Sequence, residues 1–257
     1  MHALKSRDGI RLFHVSEGQG SPPLVFLHGG LGQHAHFAPQ VKHFQQTHRI
    51  LAPDLRGHGR SDAPRQLYSI EGFAEDVAFL CSEESLEQAV VVGHSMGGLV
   101  ALELAVRFPK LACAIVLLES PVVPPADHAK RSDALLSMLR GPDFTRTVEQ
   151  WARHMVGPSS PHAEQVVTDM VATPQFVAVS AIEHMLRYDS AAAAASCQVP
   201  MLVVDGAVDT ERLRRLCPRA VFGKTVGGGH YIQLDVPVQV NDMIERFIRG
   251  LGEAKEK

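Results

Sequence analysis

A chain of 257 residues with 45% hydrophobic and 21% charged side chains has the composition of an ordinary globular protein, long enough to bury a large core. Its 25 basic and 28 acidic side chains leave a formal charge of -3, and no basic block is long enough to grip a nucleic-acid backbone. The four cysteines, Cys81, Cys113, Cys197 and Cys217, form no C-x-x-C pair, which argues against a zinc knuckle or redox motif and for reduced thiols. From Met1 the chain reaches charged residues before any apolar run, and no apolar stretch approaches bilayer length. A cytoplasmic protein without nucleic-acid or membrane partners is therefore expected.

In chain order, an early strand near Gly9 to Val15 is placed at a sheet edge. Apolar runs then predict strands at Leu24 to Leu27, His48 to Ala52, Ala89 to Val92, Cys113 to Leu118, Met201 to Val204 and Ala220 to Val226. Several are apolar throughout, as central parallel strands covered on both faces must be. Helical spacing marks Ile70 to Cys81, Met96 to Phe108, stopped by Pro109, and Val238 to Leu251. This alternation predicts an α/β fold with a mostly parallel, doubly wound sheet.

From Pro121 to about Asp189 the rhythm breaks into helix-like segments alone, behind an entry rich in proline. This stretch, residues 121–190, reads as a helical cap inserted into a core formed by 1–120 and 191–257. Phe144, Val148, Trp151 and Met155 recur at helical spacing, as do Phe176, Val179, Ile182 and Met185 or Leu186. Most should pack the cap. Some, including methionines among Met138, Met155, Met170 and Met185, should line an adaptable apolar pocket. The alanine run Ala191 to Ala195 reads as the return to the core sheet.

The chemistry centres on Gly93-His94-Ser95-Met96-Gly97, which fits G-x-S-x-G between an apolar strand and a helical pattern. In such a turn the serine backbone is strained, and the flanking glycines remove Cβ atoms that would clash. The hydroxyl is presented outward, and the Met96 amide at the helix N-terminus can stabilise an oxyanion. Leu27-His28-Gly29-Gly30-Leu31-Gly32 places a second glycine turn at a strand's C-terminal end, where α/β folds hold their sites.

With these residues, and with Asp54-Leu55-Arg56-Gly57-His58-Gly59 after the next strand, the chain resembles the α/β-hydrolase fold family from about Leu24 to Phe247, the cap excepted. The resemblance implies that Gly30 supplies the second oxyanion amide, with Leu31 as the fallback. It also implies a triad in the order serine, acid, histidine. Gly227-Gly228-Gly229-His230-Tyr231, after the last predicted strand, supplies His230 as the base. Asp209, in the Gly-x-x-Asp arrangement after Met201 to Val204, is the expected acid. Glu119, at the end of an earlier strand, is the rival.

The expected reaction is acyl transfer through an acyl-enzyme on Ser95, without a cofactor or metal, on small to medium carboxylic esters. A lactonase, a C–C bond hydrolase and a small-molecule receptor of the same fold are the alternatives. Leu31, Trp151, Met155, Met185 and Tyr231 are expected at the substrate pocket. His28, His34 and His36 lack an accompanying ligand at a recognised metal spacing, so His28 is assigned to loop geometry. Arg56 and His58 are read as structural.

Overall fold

In a computed structural model the described residues are 8–123, 128–157, 160–204 and 210–253, together with the backbone of 2–5; of 128–131, 210 and 253 only the backbone is described. Eight strands form one sheet: β1 (His2–Lys5), β2 (Arg11–Glu17), β3 (Leu24–Leu27), β4 (Ile50–Pro53), β5 (Ala89–His94), β6 (Ala112–Leu118), β7 (Met201–Val204) and β8 (Val221–Gly223). Their order is β1-β2-β4-β3-β5-β6-β7-β8. β1 and β2 run antiparallel to their neighbours, and all pairs from β4 to β8 are parallel.

The apolar runs are explained by burial on both sides. Along β5, Val91 packs into one core layer while Val90 and Val92 pack into the other. β3 divides in the same way, Val25 and Leu27 against Leu24 and Phe26, because successive side chains point to opposite faces. One layer is closed by α2 (Ile70–Glu83) and α3 (Met96–Arg107), the other by α1 (Ala38–Phe44) and α9 (Pro237–Glu253). Local signals fix the ends of these helices. Ser69 caps α2 by accepting the Gly72 amide at 3.1 Å, and Pro237 opens α9, where a missing N–H costs nothing.

Two expectations need correcting. The early strand is not the edge: β2 lies between β1 and β4, and the outermost position belongs to His2–Lys5, too short to show a pattern. The strand expected over Ala220 to Val226 shortens to Val221–Gly223. The alanine run leads the chain back to β7, as read, and does so as a helix, α8 (Ser190–Ser196), capped by Asp189 accepting the Ala192 amide at 3.0 Å. Alanine has the highest intrinsic helix propensity, and Ala193 and Ala194 bury against the layer that contains α3.

Between β6 and β7 the chain forms α4 (His128–Leu139), α5 (Phe144–Val156), α6 (Ala163–Val171) and α7 (Gln175–Arg187). They share a separate cluster with Leu31, Tyr231 and Leu234, so these helices pack onto the loops that follow β3 and β8. Hydrogen bonds tie them down: His36 to Asp169 at 3.0 Å, the Tyr68 amide to Ser180 Oγ at 2.9 Å, and Tyr188 Oη to Glu103 at 2.8 Å. Among the described residues, no helix is long and apolar enough to cross a membrane.

Candidate active site

Ser95 occupies the turn between β5 and α3 with φ 52° and ψ -119°, a left-handed conformation that non-glycine residues rarely adopt. The turn is possible because the residues two positions either side, Gly93 and Gly97, lack side chains. A Cβ on Gly93 would overlap the carbonyl of Gly97, and one on Gly97 would overlap the carbonyl of Leu27. The Ser95 amide is bound to the carbonyl of Leu118 at 2.9 Å, so the end of β6 holds the elbow in place. Met96 begins α3, and an amide in a first helical turn has no partner within the helix.

Glu119 is the next residue after β6, and it too has a positive φ, 48°. Its amide bonds to the carbonyl of Val204 at 3.0 Å. The register pairs His94 with Leu118, so Ser95 and Glu119 leave adjacent strands side by side. His230 follows β8 on the glycine loop, and its Nδ1 lies 3.3 Å from Glu119 Oε2. Both side chains are partly accessible, at 24% and 20%. The Glu119 carboxylate therefore engages one ring nitrogen and leaves Nε2 for other work. Asp209, the expected acid, lies outside the described residues. Glu119 is the carboxylate that meets the imidazole among those described.

Ser95, Glu119 and His230 line a cavity of about 570 Å³ under the helices between β6 and β7. Its wall is largely apolar: Leu135, Trp151, Met155, Ile182, Met185 and Leu186. Thr147, Gln150 and His154, on the same face of α5 as Trp151, bring polar groups to it. A second space of about 30 Å³, room for roughly one water or one oxygen atom, is bounded by Gly29, Gly30, Ser95, His230 and Tyr231. Trp151, Met155 and Met185 border both spaces, and Tyr231, 2% exposed, borders the smaller. Leu31 borders neither. It is fully buried, with φ 59°, in the cluster joining its loop to the helices above. Of the four methionines singled out, Met170 is core, while Met138, Met155 and Met185 reach the larger cavity.

The loop histidines are occupied structurally. His28 Nε2 accepts the Leu55 amide at 2.9 Å, so Nδ1 carries the proton and donates to the Gly29 carbonyl at 2.8 Å. Burial, assisted by nearby His58, pushes its pKa down to about 3. Asp54 accepts from the amide and ring of His34 and from the Arg60 amide. Burial alone would raise its carboxyl, but the His34 bond and nearby imidazoles outweigh that and hold it below the usual range. Arg56 pairs with Asp76 and Asp8, which fixes the loop after β4 to α2.

A family model described as the α/β hydrolase fold matches residues 22–237. The chain belongs to the α/β-hydrolase fold family. As an α/β hydrolase, it superimposes on an esterase from Thermogutta terrifontis with a TM-score of 0.84 at 22% identity, covering 97% of this chain and 99% of that one. An enol-lactonase from Burkholderia xenovorans LB400 gives 0.84 at 20% identity, covering 94% and 98%. At these identities the likeness is one of fold. Among curated relatives, the uncharacterized protein Rv2715 of Mycobacterium tuberculosis is 36% identical over 111 residues, 43% of this chain and 32% of that protein. Human epoxide hydrolase 4 is 29% identical over 116 residues, 44% and 32%. The matched stretch spans about a third of the length of these relatives.

In this α/β hydrolase the contact of Glu119, the rival acid, with His230 joins positions 111 apart, beyond the reach of any local pattern. His94, inside the serine motif, gave no signal beyond its place before Ser95. Its Nε2 lies 2.8 Å from the carbonyl oxygen of His230.

Proposed function

We propose that the protein is a serine carboxylesterase acting on small to medium esters with an apolar acyl or aryl part. The observation that carries this reading is the convergence of Ser95, His230 and the Glu119 carboxylate on one apolar cavity of about 570 Å³. A serine hydroxyl is a weak nucleophile at neutral pH and needs a base, and the base needs a third group to orient it.

Ser95 Oγ attacks the ester carbonyl carbon while its proton passes to His230 Nε2. The amides of Gly30 and Met96 receive the oxyanion as the carbonyl π bond opens. Glu119 holds Nδ1–H and stabilises the imidazolium. The carbon–oxygen bond to the alcohol then breaks, and His230 returns the proton to the departing oxygen. Water repeats the sequence on the acyl-enzyme and releases the acid, restoring Ser95. No cofactor takes part in these steps. The serine at the elbow separates this reading from epoxide hydrolysis, which in this family relies on an aspartate nucleophile. The apolar wall supports an uncharged substrate body.

The test is turnover of a panel of p-nitrophenyl esters and lactones by the wild type and by Ser95→Ala. Ester turnover in the wild type, lost by a factor of roughly 10³ or more in a folded Ser95→Ala, is the expected result. Tight ligand binding with negligible turnover in the wild type overturns the enzyme reading. Turnover confined to lactones overturns the carboxylesterase assignment.

A further inference from the structure

We infer that His94 is a positioning residue for the base, its Nε2–H fixing the peptide that carries the His230 imidazole; the inference rests on the serine-hydrolase reading above. The loop bearing His230 is held at its start by Gln239, which meets the amide and the carbonyl of Val226 at 3.0 and 2.9 Å. Residues 226–229 are exposed, and Gly227 has φ 81°. Two polar groups clamp the peptide units around the base. Asp235 Oδ2 accepts the Gly229 amide at 3.1 Å, and His94 meets the His230 carbonyl at 2.8 Å.

A carbonyl oxygen only accepts, so His94 Nε2 carries the ring's proton and donates it. Burial, with His230 close by, keeps this imidazole neutral. Its one N–H is therefore committed to His230, and Nδ1 is a bare lone pair. Nδ1 is buried without a hydrogen-bond partner and is wedged against Gly29, where a Cβ would come within 2.9 Å of it. An unpartnered buried nitrogen is a cost to the fold, which an apolar side chain of similar size would avoid. The ring's single directed bond is what sets it apart from such a side chain.

The location gives that bond leverage. His94 is the last residue of β5, paired to Leu118 of β6 and directly followed by Ser95. Its ring sits 4.8 Å from that of His230 and 4.9 Å from that of Tyr231. The strand that presents the nucleophile thus also anchors the backbone of the base, and the imidazole is aimed at Glu119 from a fixed peptide. Catalytic geometry is sensitive at this scale, since a misplacement of about 1 Å can cost about a hundredfold in rate.

The test compares wild type with His94→Phe, His94→Gln and His94→Asn on one p-nitrophenyl ester. Competent sites are counted by stoichiometric labelling with a serine-directed phosphonate. In His94→Phe, kcat per labelled site should fall by about 10- to 100-fold with KM nearly unchanged. The acidic limb of kcat/KM against pH should also move, because the imidazolium is held less well by Glu119. The longer amide of His94→Gln reaches the His230 carbonyl and should recover most of the rate, whereas His94→Asn should not. If His94→Phe fails to fold, the Gln and Asn pair decides the matter alone. Wild-type kcat per labelled site in His94→Phe overturns the inference, as do equal rates in the Gln and Asn variants. Failure of the underlying reading looks different: wild type itself turns over no ester, or Ser95→Ala remains active.

Discussion

Nδ1 of His230 lies 3.3 Å from Oε2 of Glu119, a contact that joins the loop after β8 to the residue after β6. On the proposed serine-hydrolase reading, this gives the orienting role to a carboxylate two strands away from the base loop, with β7 between them. Glu119→Gln keeps the shape but removes the charge that stabilises the imidazolium, and kcat should fall by about 10² to 10⁴. KM should change little. Asp209→Asn, assayed in parallel, should remain near wild type; the reverse pattern in the two variants would move the acid to Asp209.

On the carboxylesterase reading, the apolar wall sets which esters fit. Leu135 borders the larger cavity but not the small space beside Gly30, so its replacement should alter capacity and leave the reacting atoms alone. Leu135→Trp should lower kcat/KM for long acyl chains by roughly tenfold or more while acetate esters react as before. A chain-length series of p-nitrophenyl esters checks this. Equal losses along the whole series would count against it.

Buried imidazoles make the fold acid-sensitive. His28, pushed from 6.5 down to about 3 by burial, binds its proton less readily folded than unfolded, and His58 and His94 are shifted downward for the same reason. The unfolded chain therefore takes up more protons below 6.5. Stability from His28 is fully present above that value and is lost as pH falls from 6.5 toward about 3. At about 1.4 kcal/mol per pKa unit, it amounts to a few kcal/mol. Urea unfolding at about pH 7 and about pH 5 should show a clear drop, with a shallower pH slope in His58→Phe. A stability that is flat over this range would refute the assignment.

The loop after β4 depends on a shielded ion pair. Arg56 and Asp76 side chains are only 12% and 7% exposed, and Asp8 supplies a second, more exposed carboxylate. Asp76→Leu leaves the guanidinium without its buried partner, and denaturation should show a loss of about 3 kcal/mol, the lower end for such a break because Asp8 remains. Replacing both residues, Arg56→Met with Asp76→Leu, should recover much of that loss. No recovery in the double variant would show that the pair matters for something other than its charge.

Much of this protein was legible in its sequence because the relevant signals are local. Apolar runs such as Ala89 to Val92 announced strands covered on both faces, and Pro109 marked a helix end. Gly93 and Gly97 around Ser95 reported a turn whose strain follows from the residues within it. The alanine run carried the return to the core without naming its form, and alanine's helix propensity decided that form.

The sequence by itself determined the alternation of the sheet, the elbow at Ser95 and the glycine loop of His230, since each is set by spacing and backbone freedom over a few residues. The contact of His230 with Glu119, the cavity under α4 to α7 and the bond from His94 to the His230 carbonyl came only from tertiary structure. Those contacts join positions 111 and 136 apart. They exist because the parallel register of β5, β6 and β7 brings the C-terminal ends of the strands to one edge, and no local pattern carries a strand's register with its distant neighbours.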